Sequence, residues 1–169
     1  MTERWRKIED FYDYEISDAG AIFSKKSMSR LSFSENSSGQ LKVNLMRNGV
    51  VYTRSVRVLV AEAFLHRPTH IDPLDGAWGV INKDGNPWNN EASNLAWRPK
   101  WFCWKYFRQF RLSPVRYEDY NRRVINETTG QKYENVLAAG IDEGVLWDSI
   151  YDSCISGKAV YPTGHTYSF

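Results

Sequence analysis

Over residues 5–56, apolar and polar positions alternate in short runs broken by turn residues. Tyr14-Glu-Ile16 leads into the turn cluster Ser17-Asp-Ala-Gly20, and Ala21-Ile-Phe23 follows. Leu41-Lys-Val-Asn-Leu45 has the period of two expected of a half-buried strand. Arg47-Asn-Gly49 predicts a hairpin turn, because Asn-Gly accepts positive φ at little cost, and residues 50–56 return from it. Residues 34–39 read as a polar loop. From Val56 the spacing becomes helical through Phe64, with Leu59, Ala63 and Phe64 facing inward, and Pro68 closes the segment. A second strand-loop-strand pattern follows: Gly79-Val-Ile81, the turn Lys83-Asp-Gly-Asn86, then Asn94-Leu-Ala-Trp97. Pro99 fits the first turn of a helix running to about Arg111. Ser113-Pro114 and the polar stretch to Arg123 read as a linker. Residues 124–133 then predict a hairpin, followed by two short helices separated near Gly144 and a closing strand over 161–169. The pattern predicts a mixed α+β chain of three small modules.

Composition narrows the class. At 169 residues, roughly 70% of the unfolded surface can be buried, so no disulfide framework is required. The 42% apolar and 25% charged content excludes a disordered or collagen-like chain. The longest apolar run, Val58-Leu-Val-Ala61, meets Glu62 at once and predicts no membrane span. Residues 1–5 open no apolar secretory core. Cys103 and Cys154 lie 51 positions apart with no CxxC or CxxH spacing, which fits a reducing cytoplasm and predicts no structural zinc. Aromatic residues reach 15%. The net charge of +2 hides an asymmetry: residues 1–114 hold 17 Lys/Arg against 12 Asp/Glu, and residues 115–169 hold 5 against 8. A basic part joined to an acidic part suggests different partners at the two ends, although uneven surface charge alone gives the same numbers.

The most specific segment is Val80-Ile-Asn-Lys-Asp-Gly-Asn-Pro-Trp-Asn-Asn90 with Asn94-Leu95 and Trp97. It resembles the HNH endonucleases of the phage homing type, in which an apolar strand, a His, Asp-Gly-Asn, two Asn and Asn-Leu-x-Trp follow one another. Leu59-Val-Ala-Glu-Ala-Phe64 is similar to the helix that leads into that motif. Trp5, Ile8, Tyr14-Glu-Ile-Ser17, Gly20 and Ser24 resemble the small NUMOD-type module that such enzymes carry ahead of the nuclease. Thr129-Gly130, Ala138-Ala139, Gly144-Val145, Ile150, Cys154-Ile155 and Gly157-Lys158 resemble their helix-turn-helix DNA anchor. The resemblance implies an α+β chain: an N-terminal β-rich module over 1–50, a ββα-metal domain over 51–112, a linker over 113–123 and a helix-turn-helix-like module over 124–169. It also implies duplex DNA as a partner through residues 1–111, no membrane, and a host cell's cytoplasm if the chain is phage-encoded.

In that family a His at the first strand's end acts as general base, an Asn orients it, and neighbouring groups hold one divalent metal. Phosphodiester hydrolysis needs both a base near neutral pH and a cation against developing charge. Here Asn82 stands at the base position, and a carboxamide does not titrate. Ile81 stands where the resemblance implies a metal-ligating Asp or Asn, and Cys103 and Tyr106 stand at the two helix ligand positions. Asn94, the orienting residue, is retained. Losing a general base costs roughly 10²–10⁴-fold in rate. The resemblance therefore implies an endonuclease framework without its chemistry, with no cofactor expected and Mg²⁺ or Mn²⁺ only if the enzyme is active. His70 is the alternative base, but it lies 24 positions from Asn94, whereas Asn82 lies 12 away, the spacing of a tight hairpin. An engineered His→Asn change at position 82 would leave Ile81, Cys103 and Tyr106 unexplained.

Residues 98–111 hold five cations and six aromatics: Arg98, Lys100, Lys105, Arg108 and Arg111 among Trp101, Trp104 and four other rings. The pattern fits three roles equally: a nucleic-acid grip, a core helix whose cationic heads reach water, and a protein interface. The would-be recognition helix, residues 146–156, carries Asp148 and Asp152 and no Lys or Arg, a poor surface for phosphates. Three functions follow: a silent HNH-like protein that binds DNA, a scaffold reused to bind a host or phage protein through its acidic module or aromatic helix, and a nicking enzyme with a rearranged site.

Overall fold

A computed structural model describes residues 2–69, 77–111 and 117–169. His70 and the Ser113-Pro114 pair lie outside the described residues. The chain divides into two units, residues 1–82 with 86–99, and residues 83–85 with 100–169.

The first unit begins with four antiparallel strands in chain order, β1 Trp5–Ile8, β2 Phe11–Ser17, β3 Ile22–Ser24 and β4 Ser29–Arg30. A three-stranded meander follows, β5 Ser34–Glu35, β6 Leu41–Arg47 and β7 Val50–Ser55. The alternation read in residues 41–45 sends Leu41, Val43 and Leu45 into the core. Asn48 and Gly49 both take positive φ at the predicted hairpin turn. Ser34 and Glu35, read as loop, instead pair with Lys42 and Leu41, a two-residue strand too short for any periodicity to reveal.

Helix α1 spans Val56–Phe64, and Val56, Leu59, Val60 and Ala61 are buried. Ala63 and Phe64, read as inward, are only half-buried, and the Arg6 guanidinium sits 5.0 Å from the Phe64 ring centroid. Strands β8 Trp78–Asn82 and β9 Leu95–Pro99 form an antiparallel hairpin, with a 3₁₀ turn at Ala92–Asn94 before β9. Pro99 ends β9 rather than opening the next helix. One core joins both sheets, α1 and this hairpin.

In the second unit, α2 spans Lys100–Gln109 and α3 is the single turn Tyr117–Tyr120. Strands β10 Val124–Asn126, β11 Lys132–Tyr133 and β12 Tyr167–Ser168 make a small sheet with β10 central. The expected hairpin is present, while the closing strand is confined to two residues. The two short helices are α4 Val136–Glu143 and α5 Trp147–Ser156, separated by Gly144 in the left-handed conformation. Asn135 caps α4 by accepting a hydrogen bond from the Ala138 N–H at 2.8 Å. Tyr120 is buried in this unit's core, and its hydroxyl donates to Asp148. Burial, and the carboxylate beside it, hold that hydroxyl protonated well above the ordinary tyrosine range.

A row of rings runs through the second unit. Phe102 stacks on Tyr106, Tyr106 meets Phe110 edge-on, and Phe110 meets Trp147 with centroids 5.1 Å apart. Trp147 lies over Gly140, where an added Cβ would come within 2.3 Å of its ring. The ring is 8% exposed and held against Phe110, so it has little room to swing aside. In a free helix, Gly→Ala is worth up to about 1 kcal/mol in the helix's favour. Gly140→Ala is nevertheless expected to destabilise the protein by about 1–3 kcal/mol through overpacking, read as a fall in the urea midpoint.

Candidate functional site

The β8–β9 hairpin positions the motif. Val80 pairs with Trp97 and Asn82 with Leu95, so Asn82 ends its strand one residue across from Asn94. Asn82 is fully buried. Its Nδ2 donates to the Asn89 carbonyl at 2.8 Å and to Asn90 Oδ1 at 3.3 Å, while its Oδ1 accepts from Arg57 Nη1 at 3.2 Å. A guanidinium can only donate, so Arg57 fixes which end of the amide is oxygen. Asn94 Nδ2 donates to the same Asn89 carbonyl at 2.8 Å.

The loop between the strands is held from outside as well. The Ala92 N–H donates to the Asp18 carbonyl at 2.7 Å, and Gly20, at φ 90°, would place a Cβ 3.2 Å from that of Asn90. Only a residue without a side chain lets the turn after β2 approach so closely. Both amide hydrogens and the oxygen of Asn82 are therefore engaged, in a group with no proton to exchange near neutral pH. Arg57, Asn89 and Asn90 complete this network. The sequence pattern assigns no role to Arg57, whose only signal is the single cation on a helix otherwise apolar apart from Glu62.

Ile81 is fully buried and offers no donor atom. Cys103 carries a half-buried thiol. The Tyr106 hydroxyl is buried and donates to the Lys83 carbonyl at 2.6 Å. A hydrocarbon, a soft thiol and a phenol already donating do not fit Mg²⁺ or Mn²⁺, which take hard oxygen ligands. Among the described residues, no group of three or more His, Cys, Asp or Glu could hold a metal. The other thiol, Cys154, is pushed up to about 11 by burial, so it stays protonated near neutral pH.

The aromatic helix is two-sided. Phe102 and Tyr106 are buried, whereas Lys100, Trp104, Lys105, Arg108 and Arg111 are exposed. Trp104 is 65% exposed, with the Arg108 guanidinium 5.3 Å from its ring centroid. Trp101 is half-buried and stacks on Tyr161 at 5.4 Å, with Lys105 Nζ 5.2 Å from its ring. Arg98 lies on β9, and its guanidinium donates to the Trp97 carbonyl. Earlier in the chain Arg4, Lys25, Arg30, Arg47 and Arg54 are each paired with a carboxylate. The Arg4 guanidinium beside Asp18 holds that carboxyl below its usual range. Much of the N-terminal positive charge is thus neutralised in place. On α5, Asp148 and Asp152 are exposed and Ile155 is 65% exposed.

No family model matches the chain. It is 29% identical over 163 residues to an uncharacterized HNH endonuclease, L245, of Acanthamoeba polyphaga mimivirus, covering 94% of this chain and 46% of that protein. The chain thus spans about half the length of this curated relative. Among solved structures it resembles the HNH homing endonuclease I-HmuI, described for DNA binding and cleavage, with a TM-score of 0.55 and 22% identity over 98% of this chain and 97% of that one. The mixed α+β architecture with antiparallel sheets is that of an HNH homing endonuclease. Among the described residues, no helix is long and apolar enough to cross a membrane.

Removing the Asn82 side chain strips the hairpin of three hydrogen bonds in a buried setting. Asn82→Ala is expected to cost about 1–3 kcal/mol, measured as a lowered midpoint in urea unfolding.

Proposed function

We propose that this chain binds DNA on an HNH-endonuclease-like frame and does not cleave it. The observation that carries the reading is the buried carboxamide of Asn82 at the base position, with both its ends engaged. Without a titrating group there, the attacking water has no proton acceptor, and Ile81, Cys103 and Tyr106 supply no set of hard ligands for a cation. Binding is supported by the likeness to endonucleases and by the exposed cations of α2, with the duplex held through residues 1–111. A retained frame with altered chemistry keeps the means to grip a phosphate backbone, since phosphate contacts need charge and position rather than a base.

The test is a gel shift on duplex DNA alongside a supercoiled-plasmid assay in Mg²⁺ or Mn²⁺. If Lys100, Lys105, Arg108 and Arg111 each neutralise one phosphate, affinity falls about 10²-fold between roughly 50 and 200 mM salt. The plasmid is expected to stay supercoiled, also with Asn82→His, because Ile81 would still offer no ligand. Metal-dependent nicking by the unmodified chain would sink this reading and favour an active enzyme with a rearranged site.

A second reading attaches to α5, whose exposed Asp148, Asp152 and Ile155 suit a protein partner better than a phosphate backbone. If α5 faces a protein, Asp152→Lys leaves duplex affinity unchanged; if it faces DNA, the same change tightens the shift severalfold, and the second reading fails.

A further inference from the structure

Helix α2 contains no carboxylate, and its outer face is ordered. Lys100, Trp104 and Arg108 follow at intervals of four, so they share one side along about 12 Å. In the middle of this cationic row stands an indole that is 65% exposed. A duplex backbone needs only the cations. It presents phosphates and base edges, and the π-faces of its bases are already stacked. An indole gains most from a base whose face is open, and that is an unpaired one.

Two details make the ring a platform rather than a stray apolar residue. The Arg108 guanidinium lies over Trp104 at 5.3 Å, which restricts the ring's orientation before any ligand arrives. The same arrangement recurs one turn earlier, where Lys105 lies over Trp101 at 5.2 Å and Trp101 is backed by Tyr161. Trp104 is not needed for the inner packing, which Phe102 and Tyr106 supply.

We infer that the outer face of α2 binds single-stranded DNA, with a base stacking on Trp104 and the flanking cations holding the phosphates on either side. This rests on the DNA-binding reading and adds the form of DNA that α2 takes. The test uses the full chain in fluorescence anisotropy with a labelled oligo-dT strand and, separately, a blunt duplex. Trp104→Ala is expected to weaken strand binding about 10- to 100-fold and duplex binding less than about twofold, and Trp104→Phe to recover most of the loss. An unchanged strand affinity in Trp104→Ala, or an equal loss on strand and duplex, would overturn the inference while leaving duplex binding intact as a property. If the unmodified chain retains neither DNA at low salt, the DNA reading fails and takes this one with it.

Discussion

The carboxamide of Asn82 ties the end of one strand to the loop that returns to the other. Arg57 enters from α1, Asn89 and Asn90 from the loop, and Asn94 meets the Asn89 carbonyl from the 3₁₀ turn before β9. A buried amide left without partners would cost what its lost hydration is worth, so the network is a requirement of burial. An imidazole serving as a base must exchange a proton with water. Asn82 instead spends every polar atom on the protein, and the hairpin gains a fixed loop.

The same division between holding and reacting runs through α2. Its inner side joins Phe102 and Tyr106, through Phe110 just past its end, to Trp147 of α5, and Gln109 accepts a hydrogen bond from the Trp147 backbone N–H at 3.1 Å. At Tyr106, the hydroxyl contributes to packing by satisfying the Lys83 carbonyl. A position that the resemblance implies as a ligand is thereby used as a strut. The outer side is left free of that duty.

How much was legible depended on the range of the cause. The Asn48-Gly49 turn, α1 and the break at Gly144 follow from local chemistry, a φ > 0 preference or a 3.6-residue period, and all were readable in the chain. The α+β class was readable for the same reason. The two faces of α2 were not: six aromatics in fourteen positions leave three roles open, and only burial sorts Phe102 and Tyr106 inward from Trp104 outward. Asn82 stood out as an amide where the resemblance implies a base, but its partners at Arg57 and Asn89 depend on the packing of α1 against the hairpin. The two-residue β5 and β12 exist because a neighbouring strand offers hydrogen bonds, and a run that short carries no pattern of its own.

The charge asymmetry shows why a sum over sequence is a weak guide to a binding surface. The first two-thirds of the chain holds five more cations than anions, yet Arg4, Arg30 and Arg47 find carboxylates 14, 27 and 37 positions away. Exposed pairs of this kind add little stability. They do reduce the field that a distant phosphate experiences, because each paired cation presents a dipole rather than a charge. Lys100, Lys105 and Arg108 lie on a helix with no acidic residue, Arg111 follows in the turn after it, and none of the four enters an ion pair among the described residues. A modest local excess left unpaired on one face therefore attracts an anionic strand more strongly than the same number dispersed among carboxylates.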